Sequence, residues 1–131
     1  MLLIYINIVC GHYKELFLME IVADTEVETW LRNIWEGEFE WDEGNRYKTA
    51  KHDVTPEQID TITEKEIVFL GRIVEPEGIS FEENRYILLG ITIDNRGFAL
   101  ICTIREEKVR PISCRRMRDN EKRAYTNAKK L

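Results

Sequence analysis

The spacing of hydrophobic and polar positions changes near residue 67. Before that point it is helical, because apolar residues from Val27 to Ile34 recur at intervals of three and four and predict one buried helix face. Thr25 and Glu28 have the form of a capping box, in which a hydroxyl and a carboxylate satisfy the first backbone amides. We therefore predict a helix that follows Asp24, is capped at Thr25 and buries Ile34.

Two more helix starts follow in the first half of the chain. Residues 39–42 alternate apolar and polar side chains and predict a brief strand, which ends at Asp42. Asp42 is a good N-cap for a helix that runs to about Lys51. Thr55 predicts another start, because a proline occupies the first helical position after it and a glutamine occupies the third.

From residue 67 onwards the β-branched and aromatic residues follow the two-residue period of strands. Strands are predicted over residues 67–74, 85–93, 98–105 and 109–115, with a hairpin turn at residues 94–97. Pro111 has no backbone N–H, which predicts an edge strand or a bulge there. A last helix is predicted after Asp119, running towards Lys130. The pattern indicates an α+β fold, an antiparallel β-sheet meander with N-terminal helices and a C-terminal helix.

Length and cysteine usage favour one intracellular domain. The 131 residues contain no linker and suffice for one hydrophobic core. Cys10, Cys102 and Cys114 are too widely spaced for a zinc site or a disulfide framework, so reduced, mostly buried thiols are expected. The apolar start has no basic flank or cleavage site and is too short to cross a bilayer, so we expect a cytoplasmic protein without membrane contact. Met19 is as plausible a start as Met1, which would make residues 1–18 an upstream extension.

Charge is divided unevenly along the chain. The net charge is −5, but residues 105–131 hold ten Lys and Arg against four acids, a balance of +6, and the remaining residues carry −11. Because phosphate affinity depends on the local field, a basic segment of this kind favours contact with a polyanion. A solvated, charged C-terminal helix explains the same charges equally well. Residues 20–43 hold nine acids and one base, so they cannot attract RNA.

Three blocks of the chain resemble the BrnT toxin family. The first is residues 39–42 with Asn45, Lys51, His52 and Val54, which resemble the signature F-E-W-D…N…K-H-G-V. The second is Arg85, Tyr86, Gly90, Thr103 and Arg105, which look like sheet positions of the family. The third is residues 110–117 with Glu121, Lys122 and Tyr125, which are similar to the ending R-x-I-S-A-R-R…E-(K/R)…Y. Asp53 departs from the family's glycine and Cys114 from its alanine; aspartate tolerates a left-handed backbone.

The resemblance implies a RelE-like fold and an endoribonuclease toxin with an RNA substrate. It implies a BrnA-like antitoxin with a ribbon–helix–helix domain, contact with operator DNA only through that antitoxin, and an inhibited complex of two toxin and two antitoxin chains. It divides the chain into an N-terminal extension with an amphipathic helix, residues 1–38, and a BrnT-like toxin domain, residues 39–131.

RNA cleavage without a metal or cofactor needs a base for the 2′-hydroxyl, cations for the phosphorane and an acid for the 5′-oxygen. The candidate catalytic residues are Lys51, His52, Glu83, Arg105, Arg115 and Tyr125. The candidate RNA-binding residues are Arg85, Arg110, Arg116 and Lys122. His52 is the natural titrating group, and guanidinium groups match phosphate oxygens.

Each assignment has a structural alternative. His52 can serve as a cation at a helix C-terminus, the arginines can form surface ion pairs with Glu106, Glu107 and Glu121, and Tyr125 can pack against the sheet. On a regular strand Arg110 and Arg116 share one face and Arg115 points to the other, so not all arginines can face one phosphate. The family's Ser-x-Arg position favours Arg115 as the phosphate ligand.

Two other functions fit the same residues. In one, the basic face binds an antitoxin without catalysis, and the complex acts as a co-repressor. In the other, the protein is a decayed toxin whose acidic residues 20–43 fold over the basic face and cover it.

Overall fold

The computed structural model of the chain describes residues 2–10 and 13–128, and in residues 2–10 and 13–19 the backbone alone. In chain order its elements are β1 (Leu2–Cys10), β2 (Tyr13–Val22), α1 (Thr25–Asn33), α2 (Glu43–Ala50), α3 (Pro56–Asp60), a 3-10 turn (Thr61–Glu64), β3 (Val68–Ile73), β4 (Tyr86–Ile91), β5 (Gly97–Arg105), β6 (Lys108–Arg116) and α4 (Asp119–Asn127). The strands form one antiparallel sheet whose spatial order is the chain order. The predicted α+β meander with a C-terminal helix is confirmed.

The β1–β2 hairpin is an addition to the predicted elements, because no strand was expected before Asp24. It joins the rest of the sheet through Ile21, opposite Ile73, and Val22, opposite Arg72. Gly71 makes this contact possible: a Cβ at this position would lie 2.3 Å from the carbonyl oxygen of Val22. Its φ of +141° is also a conformation that side-chain-bearing residues rarely adopt.

The helix starts follow local capping chemistry, with one correction. The cap of α1 is Asp24, whose carboxylate accepts from the amide of Val27 at 3.1 Å, and the predicted cap at Thr25 is wrong. Asp42 and Thr55 cap α2 and α3 as predicted, each with a reciprocal capping box. A carboxylate one residue earlier therefore replaces the Thr25 hydroxyl as acceptor for the first turn of α1.

Two apolar clusters cover the two faces of the sheet. The first contains Leu31 of α1, Ile59 of α3 and Phe98 of β5, and the three tryptophans pack against its margin. The second contains Ile101 of β5 and Tyr125 of α4. Helices α1 and α3 therefore share one core and α4 closes the other.

Ile34 was predicted to lie in the buried face of α1, and this is wrong. Its side chain is 63% exposed. It is the C-cap residue of α1, where φ and ψ have left the helical region. The three-and-four spacing therefore stops predicting its direction at the last turn.

Strand β6 lies at the edge of the sheet and contains the irregularity that Pro111 predicted. Cys102 of β5 pairs with Pro111, and the preceding Ile101 pairs with Ser113, so Ile112 is an extra residue in β6. Such a bulge reverses the alternation of side chains beyond it.

The bulge corrects the predicted faces of the β6 arginines. Arg110 lies opposite Thr103 and Arg115 lies opposite Ala99, two β5 residues that are four positions apart and therefore share a face. Arg116 lies opposite Phe98, on the other face, with its guanidinium 5.6 Å from the ring centre. Arg110 and Arg115 thus share a face, and Arg116 does not.

Cys102 and Cys114 are free and buried, as expected. Burial raises the pKa of Cys114 to about 12 and raises that of Cys102 still further above the ordinary thiol value. The side chain of Cys10 lies outside the described residues.

Candidate functional site

Three of the candidate arginines meet in one pocket at the start of β6. A cavity of about 350 Å³ is lined by Arg85, Arg105, Arg110, Glu83 and Thr103, and we call these residues the arginine pocket. Pairing explains the convergence, since Arg85 directly precedes Tyr86, which is the partner of Cys102, and Arg110 is the partner of Thr103. Neighbouring strands therefore bring basic side chains together on one face.

Glu83 and Arg105 form the charged pair of this pocket. The Arg105 Nε donates to a Glu83 carboxylate oxygen at 2.5 Å, and a guanidinium nitrogen contacts the same oxygen. The hydrogen bond from Arg105 lowers the pKa of Glu83, and the charges of Arg105 and Arg110 act in the same direction. Glu83 is therefore ionised near neutral pH, and its proton affinity is lower than that of a free glutamate.

Arg85 and Arg110 differ in the partners that hold them. Arg110 forms an ion pair with Asp42, the N-cap of α2, and its hydrogen bond is the main reason that the pKa of Asp42 falls to about 2. Arg85 stacks on the ring of Phe81, 4.4 Å from its centre, and forms no ion pair with any residue in the described part of the chain. The Arg85 guanidinium is consequently available for an anion.

Thr103 is the member of the pocket that we did not propose as a site residue. Its side chain is 3% exposed, and among the described residues its Oγ1 is the one buried side-chain polar atom without a hydrogen-bond partner. A buried hydroxyl without a partner is costly and calls for an explanation such as a bound ligand or water. The sequence signal was its place two residues before Arg105, on the same face of a strand.

Lys51 and His52 lie at the other end of β6 and do not line the arginine pocket. Helix α2 runs beside β6, because Asn45 in its first turn donates to the carbonyl of Pro111 at 3.0 Å. Near the helix C-terminus, partial desolvation lowers the pKa of His52, and the charges of Arg115 and Lys51 lower it further. His52 therefore lies within electrostatic range of Arg115, and both are separated from the arginine pocket by the length of α2.

Arg115, the favoured phosphate ligand, is held by a buried carboxylate. Two of its guanidinium nitrogens contact the two oxygens of Glu121 at 2.6 and 2.8 Å. Glu121 is fully buried, Arg115 is 16% exposed, and one Glu121 oxygen also accepts from the Arg118 amide at 2.8 Å. This ion pair connects the first turn of α4 to β6. This geometry matches the expected ion pair with Glu121; Glu106 and Glu107 form none among the described residues.

The remaining predicted residues lie outside the arginine pocket. Tyr125 is buried in the second apolar cluster, where its hydroxyl donates to the carbonyl of Glu66 at 2.7 Å. Arg116 is exposed beside Phe98, and Lys122 is exposed on α4, 4.0 Å from Asp119. The position of Tyr125 fits a role in core packing, and those of Arg116 and Lys122 fit a contribution to surface charge.

The acidic stretch, residues 20–43, contacts the basic residues of β6 through Glu40 and Asp42. Asp42 pairs with Arg110, and a Glu40 oxygen lies 3.7 Å from the Lys108 ammonium. Arg85 and Arg105 have no partner from this stretch among the described contacts, so it covers only one side of the arginine pocket.

No group of three or more His, Cys, Asp or Glu side chains among the described residues is placed to hold a metal ion. None of the helices in the described ranges has the length and apolar content needed to cross a membrane.

Comparison with known proteins gives one match. Residues 41–121, more than half of the chain, match the family described as ribonuclease toxin, BrnT, of type II toxin–antitoxin system. No curated protein and no solved structure matches the chain. The matched segment contains the arginine pocket, the Lys51–His52 end of α2 and the Arg115–Glu121 pair.

Proposed function

We propose that this chain, which belongs to the BrnT family of ribonuclease toxins of type II toxin–antitoxin systems, is an endoribonuclease that cleaves RNA at the arginine pocket without a metal ion. One observation carries the proposal. Three guanidinium groups, an ionised carboxylate and a buried hydroxyl without a partner line one cavity.

Glu83 is the proposed general base. Its carboxylate lines the cavity beside three arginines, which places it to accept the proton of a ribose 2′-hydroxyl. Arg105 lowers its pKa, which keeps the carboxylate ionised and makes it a weaker base than a free glutamate. The 2′-oxygen then forms a bond to phosphorus, and the bond from phosphorus to the 5′-oxygen breaks. The products are a 2′,3′-cyclic phosphate and a 5′-hydroxyl. Because no histidine is among the described residues lining the pocket, the 5′-oxygen takes its proton from water.

The three arginines supply the positive charge that the pentavalent phosphorane requires. Arg85, which forms no ion pair within the described residues, is proposed to bind the phosphate first. Arg105 and Arg110 are held by Glu83 and Asp42, and such fixed donors stabilise developing negative charge without reorganisation. The Thr103 hydroxyl is proposed to donate to a phosphate oxygen and so gain its missing partner.

Lys51 and His52 are proposed to bind a neighbouring phosphate of the RNA. The pKa of His52 is lowered, so its imidazole is neutral near pH 7 and is a poor proton donor to the leaving group. Lys51, the C-cap residue of α2, is proposed to donate to the same phosphate. Arg115 is proposed to support this end of the site through Glu121 rather than to clamp the scissile phosphate.

A protein antitoxin and an RNA substrate are implied by the family. We propose that the antitoxin is BrnA-like, that two copies of each chain form the inhibited complex, and that the toxin acts in the cytoplasm. Expression of the chain alone should then halt growth, and co-expression of the adjacent gene product should restore it. A non-catalytic binding protein would leave growth unaffected.

The test of the active site is single-turnover cleavage of single-stranded RNA in excess EDTA. Glu83→Gln should slow cleavage by about 10²- to 10⁴-fold, the usual contribution of a general base. Thr103→Val keeps the side-chain shape and should slow it by roughly 10- to 100-fold, as loss of a hydrogen bond to a charged group does.

Glu82→Gln is the matched control, because Glu82 also lines the pocket but has no hydrogen bond to an arginine among the described contacts. It should cleave at nearly the wild-type rate. Undiminished cleavage by a folded Glu83→Gln variant would refute the assignment of the base, and loss of wild-type cleavage in EDTA would refute metal independence.

A further inference from the structure

A second concave surface lies around α1, which precedes the family-matched segment, and the β5–β6 turn within that segment completes it. Three cavities of about 350, 290 and 410 Å³ adjoin there. The first and second share Trp35 and Glu36, and the first and third share Trp30 and Glu107. We call this continuous surface the tryptophan groove.

The floor of the tryptophan groove is apolar. Trp30 and Trp35 are partly buried against the core, and both line the first cavity. Ile34, beside them, is 63% exposed and is one of only three large hydrophobic side chains exposed among the residues with described side chains. An exposed aliphatic side chain between two indoles is typical of a surface that a partner covers.

The rim of the tryptophan groove is negatively charged. Its carboxylates are Glu26, Glu36, Glu38, Glu106 and Glu107. None of these five side chains forms an ion pair within the described residues. Three bases also line the groove, and each has another contact: Lys108 lies 3.7 Å from Glu40, Arg32 lies 3.2 Å from Glu28, and Lys65 donates to Asn95. The five rim carboxylates therefore outnumber the three bases of the groove, and no ion pair among the described contacts joins the two sets.

The β5–β6 turn that carries part of this rim has an unfavourable backbone. Glu106 and Glu107 have φ values of 49° and 64°, in the left-handed region. Two-residue hairpin turns with this geometry favour Asn-Gly, and a glutamate there costs conformational energy. Folding alone thus gives no reason for glutamates at both positions.

We propose that the tryptophan groove binds a basic, arginine-bearing peptide segment of a protein partner. The acidic rim repels RNA, and its carboxylates are spread over α1 and the β5–β6 turn rather than gathered around a metal-sized point. An extended polycation matches this spacing. Indole faces attract guanidinium groups, and an apolar side chain of the segment covers Ile34. This binding does not require RNA cleavage.

The test uses a synthetic peptide of alternating arginine and leucine residues, with a glutamate–leucine peptide as its acidic counterpart. Binding to the full chain is measured by tryptophan fluorescence and calorimetry at physiological ionic strength. The double variant Glu36→Gln/Glu107→Gln should weaken binding of the basic peptide by about tenfold, given up to about 1 kcal/mol for each exposed charge pair.

The matched control is Glu64→Gln/Glu77→Gln, which removes the same charge from exposed positions that do not line the groove. It should change the affinity by less than about twofold. Equal weakening by both double variants would show attraction to net charge alone and overturn the proposal. So would equal binding of the acidic peptide, or no change in affinity on Ile34→Ser.

Discussion

Replacement of Arg115 by alanine distinguishes a structural arginine from an RNA-binding one. The side chain donates two hydrogen bonds, at 2.6 and 2.8 Å, to a fully buried Glu121 carboxylate. Loss of the guanidinium leaves that carboxylate in the interior with the Arg118 amide as its remaining described partner. Breaking a buried ion pair in this way costs about 3–5 kcal/mol, which lowers the melting temperature of a chain of this size on the order of 15 °C.

Circular dichroism during thermal and urea unfolding measures this loss. Replacing both partners, as in Arg115→Met with Glu121→Leu, should recover most of the stability, because no unpaired charge remains buried. Arg116→Ala is the matched control: its exposed guanidinium contacts only the Phe98 ring in the described structure, so it should cost about 1 kcal/mol or less. If Arg115→Ala lost less than about 1 kcal/mol while RNA affinity fell sharply, the structural role of Arg115 would be refuted.

The His52 imidazole should titrate below pH 6.5 in NMR spectra, and Lys51→Gln should move its midpoint upward because one neighbouring cation is removed; an unchanged midpoint would contradict this. Stability should fall as the pH drops from about 4 to about 2, because the folded-state pKa of Asp42, about 2, is below its ordinary value of 3.8 and protonation breaks the pair with Arg110; Asp42→Asn should flatten this part of the urea-unfolding profile. Gly71→Ala should cost about 1–3 kcal/mol through its clash with the Val22 carbonyl, and should release the β2–β3 amides to hydrogen exchange; retained protection would show that the strands stay paired and accommodate the added Cβ, which would contradict this prediction.

Features that depend on neighbouring residues could be predicted from the sequence. Asp42 and Thr55 cap their helices because a short polar side chain reaches an amide three residues ahead. Pro111 indicated the edge strand and its irregularity, since it cannot donate a ladder hydrogen bond. The β1–β2 hairpin was missed, although continuous apolar runs flanked by a glycine are also a strand signal.

The grouping of the arginines could not be predicted, because it depends on pairing between strands. Alternation placed Arg110 with Arg116, and the extra residue Ile112 placed it with Arg115 instead. The ion pair between Arg115 and Glu121 could not be predicted either. It forms because α4 packs against the sheet and brings Glu121 next to β6. Thr103 became a candidate only when the structure left its hydroxyl buried without a partner.

The central claim is that the arginine pocket holds a phosphodiester of RNA. It is tested most directly by the salt dependence of affinity for a single-stranded oligonucleotide with 2′-deoxy sugars, which binds but cannot be cleaved. Arg85→Gln should reduce the slope of log affinity against log salt by about 0.7, the contribution of one phosphate contact on a single strand. Arg32→Gln, a control on α1 that removes a pair with Glu28, should leave the slope unchanged. An unchanged slope for Arg85→Gln would contradict the account.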